Sequence, residues 1–493
     1  LFYQVALNFQ QKYKASRLSL KNLHLFYFHP MKNLPAAFLK NLEAQLGDDL
    51  PAFISAMDMP PPVSIRLNPQ KKAHSLTAFQ TEPNPIAWHT EGYYLAGDRP
   101  VFTLDPAYHG GAYYVQEASS MFIAEALRQV CNLAEDKLVL DLCAAPGGKS
   151  TLLASLLTDN SFLIANEVIK SRVEILKENI IRWGNPSVCV SHHEVEDFAD
   201  LAGLFDIVLI DAPCSGEGLF RKDPDAIREW SEEAVVTCSA RQKRLLTVAA
   251  SFVKPEGILL YSTCTYNESE NKENVEWLLQ HGGFQMLSLD IKPDWGILAR
   301  SFGYQFYPHR LRGEGFFMAA LKADKSVLPE YRKSIGEEKM AFEKLPVAKQ
   351  RIAAIWLQEP EKLAFFIKPN GMVYVILKKH TALYAQIDKV LKRKSIGVEI
   401  GIFKGQDFIP SHDLAMSTLV ATKSPAFVTL SLSKTQALQF LKKEAPDLDF
   451  ENLPQTWALA TYEGLNLGWM KILKNRLNNY LPKDFRIRMD LPR

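Results

Sequence analysis

Cysteine is scarce in this chain and badly spaced for metal. There are six in 493 residues and none form a Cys-x-x-Cys pair, which argues against a zinc module and against a disulfide framework. Free thiols in a reducing cytoplasm are the expectation. Long apolar runs are also missing, so no segment reads as a membrane span. Residues 1–30 contain no Asp or Glu. They also lack a long apolar core and a small-residue cleavage site, so a signal peptide is not expected. The chain starts at Leu1, and Met31 opens a helical segment. Translation is therefore expected to begin at Met31, with 1–30 an upstream extension. No long repeat is present, and neither the Walker A pattern nor Gly-x-Gly-x-x-Gly occurs, so no phosphate or dinucleotide loop is indicated.

What is present reads as a soluble globular protein of two to four domains, with 47% hydrophobic and 23% charged residues. The formal net charge of +2 hides an asymmetry. Residues 331–493 carry 26 Lys and Arg against 16 Asp and Glu, whereas residues 1–330 carry 31 against 39. A basic C-terminal third suits a nucleic-acid-binding module, although a lysine-rich solvated surface gives the same count.

Residues 34–58 form an amphipathic helical stretch that Pro60-Pro61-Pro62 ends. Residues 63–69 alternate as a strand. From 137 onward, short apolar strands at 138–140, 162–167, 187–190, 205–211 and 257–264 alternate with helices, and 315–321 closes the set. That alternation specifies an α/β fold with a parallel, doubly wound sheet. Residues 325–350 are charged and weakly patterned, as a linker would be. Short strands and a helix near 434–443 follow, and Gly464 and Gly468 mark turns or bulges.

The loop after the first of these strands is Asp141-Leu142-Cys143-Ala144-Ala145-Pro146-Gly147-Gly148-Lys149. In an open α/β sheet, ligands bind beyond the carboxyl ends of the strands. Gly147 and Gly148 let the backbone approach such a ligand. Glu167 ends the next strand, where a carboxylate can accept hydrogen bonds from both hydroxyls of a ribose. S-adenosylmethionine has a ribose and no phosphate, so one carboxylate suits it. Glu194, past the third strand, can address the adenine. Both glutamates can instead be plain strand-end charges.

Two cysteines follow fifty residues apart, Cys214 in Asp211-Ala212-Pro213-Cys214-Ser215-Gly216 and Cys264 in Ser262-Thr263-Cys264-Thr265-Tyr266. Both stand where strands end, so both thiols can face one rim. Cytosine C5 is too weak a nucleophile to take a methyl group unaided, but a thiolate added at C6 makes it an enamine. Most free cysteines are buried core residues, and Cys131, Cys189 and Cys238 read that way. Cys143 reads as structural too, contributing backbone to the cofactor loop. The polar flanks of Cys214 and Cys264 set these two apart. Asp211 can pair with the amino group and ring nitrogen of cytosine, or simply cap the turn before Pro213.

These motifs, Asp141–Thr151 (DLCAAPGGKST), Asp211–Gly218 (DAPCSGEG), Ser262–Thr265 and Gly315–Ala319 (GFFMA), together resemble the Nop/Sun-type RNA cytosine-5 methyltransferases. Arg66-Leu67-Asn68 and Gln116–Met121 are similar to that family's N-terminal elements. Phe220–Pro224, Gly397–Gly401, Pro410-Ser411-His412 and Asn479–Lys483 resemble its bacterial RsmF branch, whose substrate is small-subunit (16S) rRNA. The resemblance implies a Rossmann-like S-adenosylmethionine-dependent methyltransferase domain at 131–325. Around it come an α/β N-terminal RNA-binding subdomain at 31–130, a linker at 326–350 and an α+β PUA-like RNA-binding region at 351–493. It implies Cys264 as nucleophile and Cys214 as the acid/base that assists adduct breakdown. Asp211 would lie at the cofactor's methionine end or at the target base. Cys143, Ala144, Ala145, Pro146, Gly147, Gly148 and Lys149, with Glu167 and Glu194, would bind S-adenosyl-L-methionine. The family often carries Asp where this chain has Glu194. The expected partner is rRNA, alone or within the small subunit, with no membrane, no metal and a monomeric enzyme. Trp457, Tyr462 and Trp469 can stack on RNA, although such aromatics are more often core, and the loop cations Arg221, Lys222, Arg310 and Arg312 can contact phosphate or simply form solvated surface. A tRNA methyltransferase and a non-catalytic RNA-binding assembly factor are the alternatives. The paired cysteines argue against the second.

Overall fold

The computed structural model describes residues 34–71, 79–324, 343–395 and 397–491. The expected upstream extension and most of the expected linker lie outside the described residues. The chain divides into two compact units, each assembled from separated stretches.

One unit takes 64–116, 132–201 and the C-terminal third. Its first part is an antiparallel sheet of β1 (Ser64–Leu67), β2 (Gln80–Thr81), β3 (Gly92–Ala96) and β4 (Tyr113–Val115), in the order β2-β3-β1-β4. Next come three parallel strands, β5 (Leu138–Asp141), β6 (Phe162–Asn166) and β7 (Val188–Ser191). The Gly148–Leu156 and Lys170–Trp183 helices separate them. Every residue of β6 is buried, as a strand covered on both faces requires.

Two buried polar side chains bind these parts together. Arg66, 1% exposed, donates to Gln116 Oε1, Thr151 Oγ1 and the carbonyl of Gly148 at 2.8, 2.7 and 3.3 Å. Asn68 donates to the carbonyls of Gly111 and Trp183, both at 3.0 Å. The first sheet thereby fixes the start of one parallel-layer helix and the end of the next.

The other unit takes residues through 63, 117–131 and 202–331. Its sheet runs β11 (Leu298–Arg300), β12 (Gly303–Phe306), β13 (Phe316–Ala323), β9 (Val253–Thr263), β8 (Phe205–Asp211), and β10 (Phe284–Met286) also pairs with β13. β8 and β9 are parallel, but β13 runs antiparallel to β9. The strand that closes the set thus reverses direction, because the β10–β12 excursion before it returns the chain from the opposite end. Helices Ala36–Leu46 and Leu50–Met57 bury Phe38, Leu42, Phe53 and Met57, spaced at i and i+4 so that each pair shares a face. They pack on Phe220, Trp230, Tyr266 and Tyr307, and Phe53 meets Tyr266 edge-on at 5.3 Å. The N-terminal helices therefore back the segment that carries Cys264.

The C-terminal third forms two sheets. One contains β14 (Glu343–Lys344), β15 (Leu363–Ile367), β16 (Met372–Leu377), β17 (Val398–Lys404) and β18 (Asp407–Pro410). The other contains β19 (Phe427–Ser431), β20 (Trp457–Tyr462), β21 (Leu465–Leu473) and β22 (Arg476–Asn479). Residues 343–350, within the expected linker, already hold β14 and the start of the Val347–Ala354 helix. Gly464 turns the β20–β21 hairpin at φ 79°, and Gly468 lies beside a register shift at Ala460/Thr461. A side chain at Gly468 would meet the Phe440 ring at 3.1 Å.

Candidate active site

The loop after β5 is gripped from beneath. Ala144 N donates to Asn166 O at 2.8 Å, Arg172 to the carbonyl of Ala145 at 2.6 Å, and Asn179 to that of Pro146 at 2.8 Å. Gly147 has φ 114°, a left-handed conformation that favours glycine. A Cβ on Gly148 would stand 3.3 Å from the Tyr114 ring. Asp141 is buried and accepts from Ser150 Oγ at 2.6 Å. Cys143 and Lys149 are half-buried, and Ala144, Ala145 and Gly147 are buried while Pro146 is exposed.

Glu167 is buried directly after β6. One of its oxygens accepts from Ile169 N at 2.9 Å and the other faces Arg172 at 3.2 Å. Each carboxylate oxygen has two lone pairs, so acceptor capacity remains for a diol. A glycine-opened loop with one carboxylate at the next strand end fits a ribosyl sulfonium ligand. Glu194 is exposed beyond β7. Beside it, buried His193 faces Asp197 at 2.8 Å and accepts from Arg393 N at 2.9 Å.

In the other unit the two cysteines meet. Cys214 Sγ and Cys264 Sγ are 3.0 Å apart, and Cys264 N donates to Cys214 Sγ at 3.3 Å. Cys214 is 3% exposed, whereas Cys264 is partly open. The hydrogen bond to Cys264, reinforced by burial, pushes the Cys214 thiol well above its ordinary pKa. Cys214 is therefore held as S–H behind the more accessible sulfur. Asp211 is half-buried at the end of β8 and accepts from Ser262 Oγ at 2.8 Å.

Two buried carboxylates that drew no functional role in the sequence surround the thiols. Glu217 Oε2 accepts from Tyr266 N at 3.0 Å and Thr265 Oγ1 at 2.8 Å, and Oε1 accepts from Trp230 at 3.1 Å. Glu270 Oε2 accepts from Ser215 N at 2.9 Å and Gln242 Nε2 at 2.8 Å. Burial pushes Glu217 upward and Glu270 up to about 7. Glu217 lies inside the DAPCSGEG motif. Glu270 is buried just ahead of the Lys272–His281 helix.

The cations expected at the rim divide. Arg221 is committed to a buried pair with Glu314 at 2.9 Å and to the carbonyl of Gly313 at 2.7 Å. Arg310 pairs with Asp49 at 3.1 Å, while Lys222 and Arg312 are exposed. The aromatics take the core reading: Trp457, Tyr462 and Trp469 are 6%, 4% and 1% exposed. They are core residues because both faces of β20 are covered: Trp457 and Trp469 pack with Trp356 and Phe427 in one cluster, Tyr462 with Phe440 and Leu441 in another, and Trp469 spends its N–H on the carbonyl of Ser411 at 2.7 Å.

Residues 128–322 match the family model described as 16S rRNA methyltransferase RsmB/F. Residues 34–118 match the N-terminal domain of 16S rRNA methyltransferase RsmF, and 427–487 the methyltransferase RsmF PUA domain. The PUA match coincides with the β19–β22 sheet. A methyltransferase homolog protein from Pyrococcus horikoshii aligns at TM-score 0.50 and 28% identity, over 62% of this chain and all of that one. NSun6 from Pyrococcus horikoshii shares the fold at TM-score 0.50 and 20% identity, over 61% of this chain and 99% of that one. The chain is 31% identical to ribosomal RNA small subunit methyltransferase F of Shewanella piezotolerans, over 91% of this chain and 97% of that protein. For the Serratia proteamaculans protein of the same name the identity is 32%, over 92% and 96%. The chain belongs to the ribosomal RNA small subunit methyltransferase F family.

Proposed function

We propose that this protein methylates C5 of a cytosine in small-subunit (16S) rRNA, with S-adenosyl-L-methionine as methyl donor, through a covalent bond from Cys264 to C6. The observation that carries the reading is the thiol pair: an accessible Cys264 with a buried, protonated Cys214 at 3.0 Å.

The Cys264 thiolate adds to C6 and drives electron density onto C5. The cofactor, held by the 143–149 loop and Glu167, supplies an electrophilic methyl group. Asp211 addresses the amino edge of the base. After transfer, loss of the C5 proton to solvent restores the C5–C6 double bond, and the C6–S electrons return to Cys264. Cys214 donates its S–H to that departing sulfur, so the thiolate leaves already hydrogen-bonded. The exposed cations of the PUA domain grip the RNA backbone, and the target cytosine is taken unstacked.

Methyl transfer to small-subunit rRNA transcripts tests this. The Cys264→Ala variant is expected to be inactive. The Cys214→Ala variant is expected to trap a protein–RNA adduct that survives a denaturing gel. Full activity without Cys264 would falsify the covalent route.

A further inference from the structure

Each cysteine loop sends a carboxylate across to hold the other. Glu217 follows Cys214 in the chain yet accepts from Thr265 and Tyr266, the two residues after Cys264. Glu270 follows Cys264 yet accepts from Ser215 N, the peptide on the far side of Cys214. The peptide on the near side is held by the same group, because Gln242 Nε2 bridges Glu270 Oε2 and the carbonyl of Pro213, at 2.8 and 2.9 Å. Gln242 is itself fixed by Tyr261 and Asn274, which donate to its Oε1 at 3.1 and 2.9 Å. Ser215 and Thr265 hydroxyls close the brace at 3.0 Å. All four side chains of the Glu270 network are buried. A buried carboxylate is expensive, and a turn can be capped with serine or asparagine at less cost. Two such carboxylates, crossed between two reactive thiols, point to placement of the sulfurs.

We propose that Glu217 and Glu270 are positioning residues with opposite effects on the reaction. Glu217 holds Cys264 for attack on C6. Glu270, through Gln242, holds Cys214 against the departing sulfur. The inference rests on the reading in which Cys264 adds to the base and Cys214 assists its release.

The test is steady-state methylation of a small-subunit rRNA transcript, read as methyl incorporated over many turnovers and as the fraction of protein in a denaturation-resistant adduct. Glu270→Ala is expected to lower turnover about tenfold with KM for the cofactor within about twofold, and to accumulate adduct as Cys214→Ala does. Gln242→Leu cuts the same clamp from its other side and should do the same. Glu270→Gln keeps an acceptor oxygen in place and should restore most of the turnover, which a general loss of packing would not allow. Glu217→Ala and Thr265→Val should lower turnover with less adduct than the unmodified protein. Adduct at the unmodified level in both Glu270→Ala and Gln242→Leu, with adduct trapped by Cys214→Ala, overturns this inference alone. So does extra adduct in the Glu217 and Thr265 variants. Activity retained by Cys264→Ala instead overturns the cysteine roles, and the inference with them.

Discussion

Gly218 N donates to the carbonyl of Cys264 at 2.9 Å, and a Cβ on Gly218 would stand 2.9 Å from that same oxygen and 2.4 Å from the carbonyl of Gly315. The backbone behind the proposed nucleophile is packed against glycine with no room for one carbon. Both obstructing atoms are backbone, so no rotamer change relieves the clash. Gly218→Ala is expected to cost about 1–3 kcal/mol and to displace Cys264. A lowered melting temperature with methyl transfer lost checks this, and an active variant of unchanged stability contradicts it.

Glu270 gives stability a pH signature. An unfolded glutamate titrates near ~4.3, and burial raises Glu270 to about 7 in the fold. Its Oε1 is buried without a hydrogen-bond partner among the described residues. A raised acid pKa means that the folded state binds the proton more tightly. The contribution to stability is complete below the unfolded pKa and is lost as pH rises through about 7. The separation corresponds to roughly 4 kcal/mol. Glu270→Gln removes the ionisation, so its stability relative to the unmodified protein should rise between pH 5 and 8. Parallel melting curves at the two pH values would contradict a buried titration.

Glu167 is the carboxylate proposed to hold the cofactor ribose. Loss of hydrogen bonds to a charged acceptor costs about 1.5–3 kcal/mol, or roughly tenfold to hundredfold in affinity. Titration calorimetry of Glu167→Ala with S-adenosylhomocysteine should show that weakening. Unchanged affinity would remove Glu167 from the site.

Lys474 and Arg476 project at the tip of the β21–β22 hairpin. Each phosphate contact removed should lower the slope of log affinity against log salt by about 0.7 on single-stranded RNA. Lys474→Ala with Arg476→Ala should therefore flatten the slope by about 1.4. Trp469→Phe should lower stability and leave RNA affinity alone, since Trp469 lies in the core. The opposite pattern would return the aromatics to the RNA surface.

Local signals carried far in this chain. Apolar runs gave the strands, glycine pairs the loops, and amphipathic patterning one helical stretch at 34–58, because each depends on near neighbours in sequence; the break at Gly47–Asp49 that divides that stretch into helices at 36–46 and 50–57 did not emerge. Direction did not emerge that way. β13 reads like its parallel neighbours because a strand buried on both faces has the same composition either way up. Aromatic richness at 457–469 resembles an RNA platform until burial decides it.

The sequence by itself determined the residue types the chemistry needs: two thiols with polar flanks, a glycine loop, one acid at a strand end. Those are fixed by chain position and side-chain chemistry. Only the tertiary structure decided which thiol is open and which is buried, because exposure depends on what packs over a strand end. The same holds for Glu217, Glu270 and Gln242. Glu270 lies 55 residues from Ser215, and Gln242 29 residues from Pro213. Such hydrogen bonds follow from folding, and nothing in the local pattern marks a glutamate as one that will turn inward.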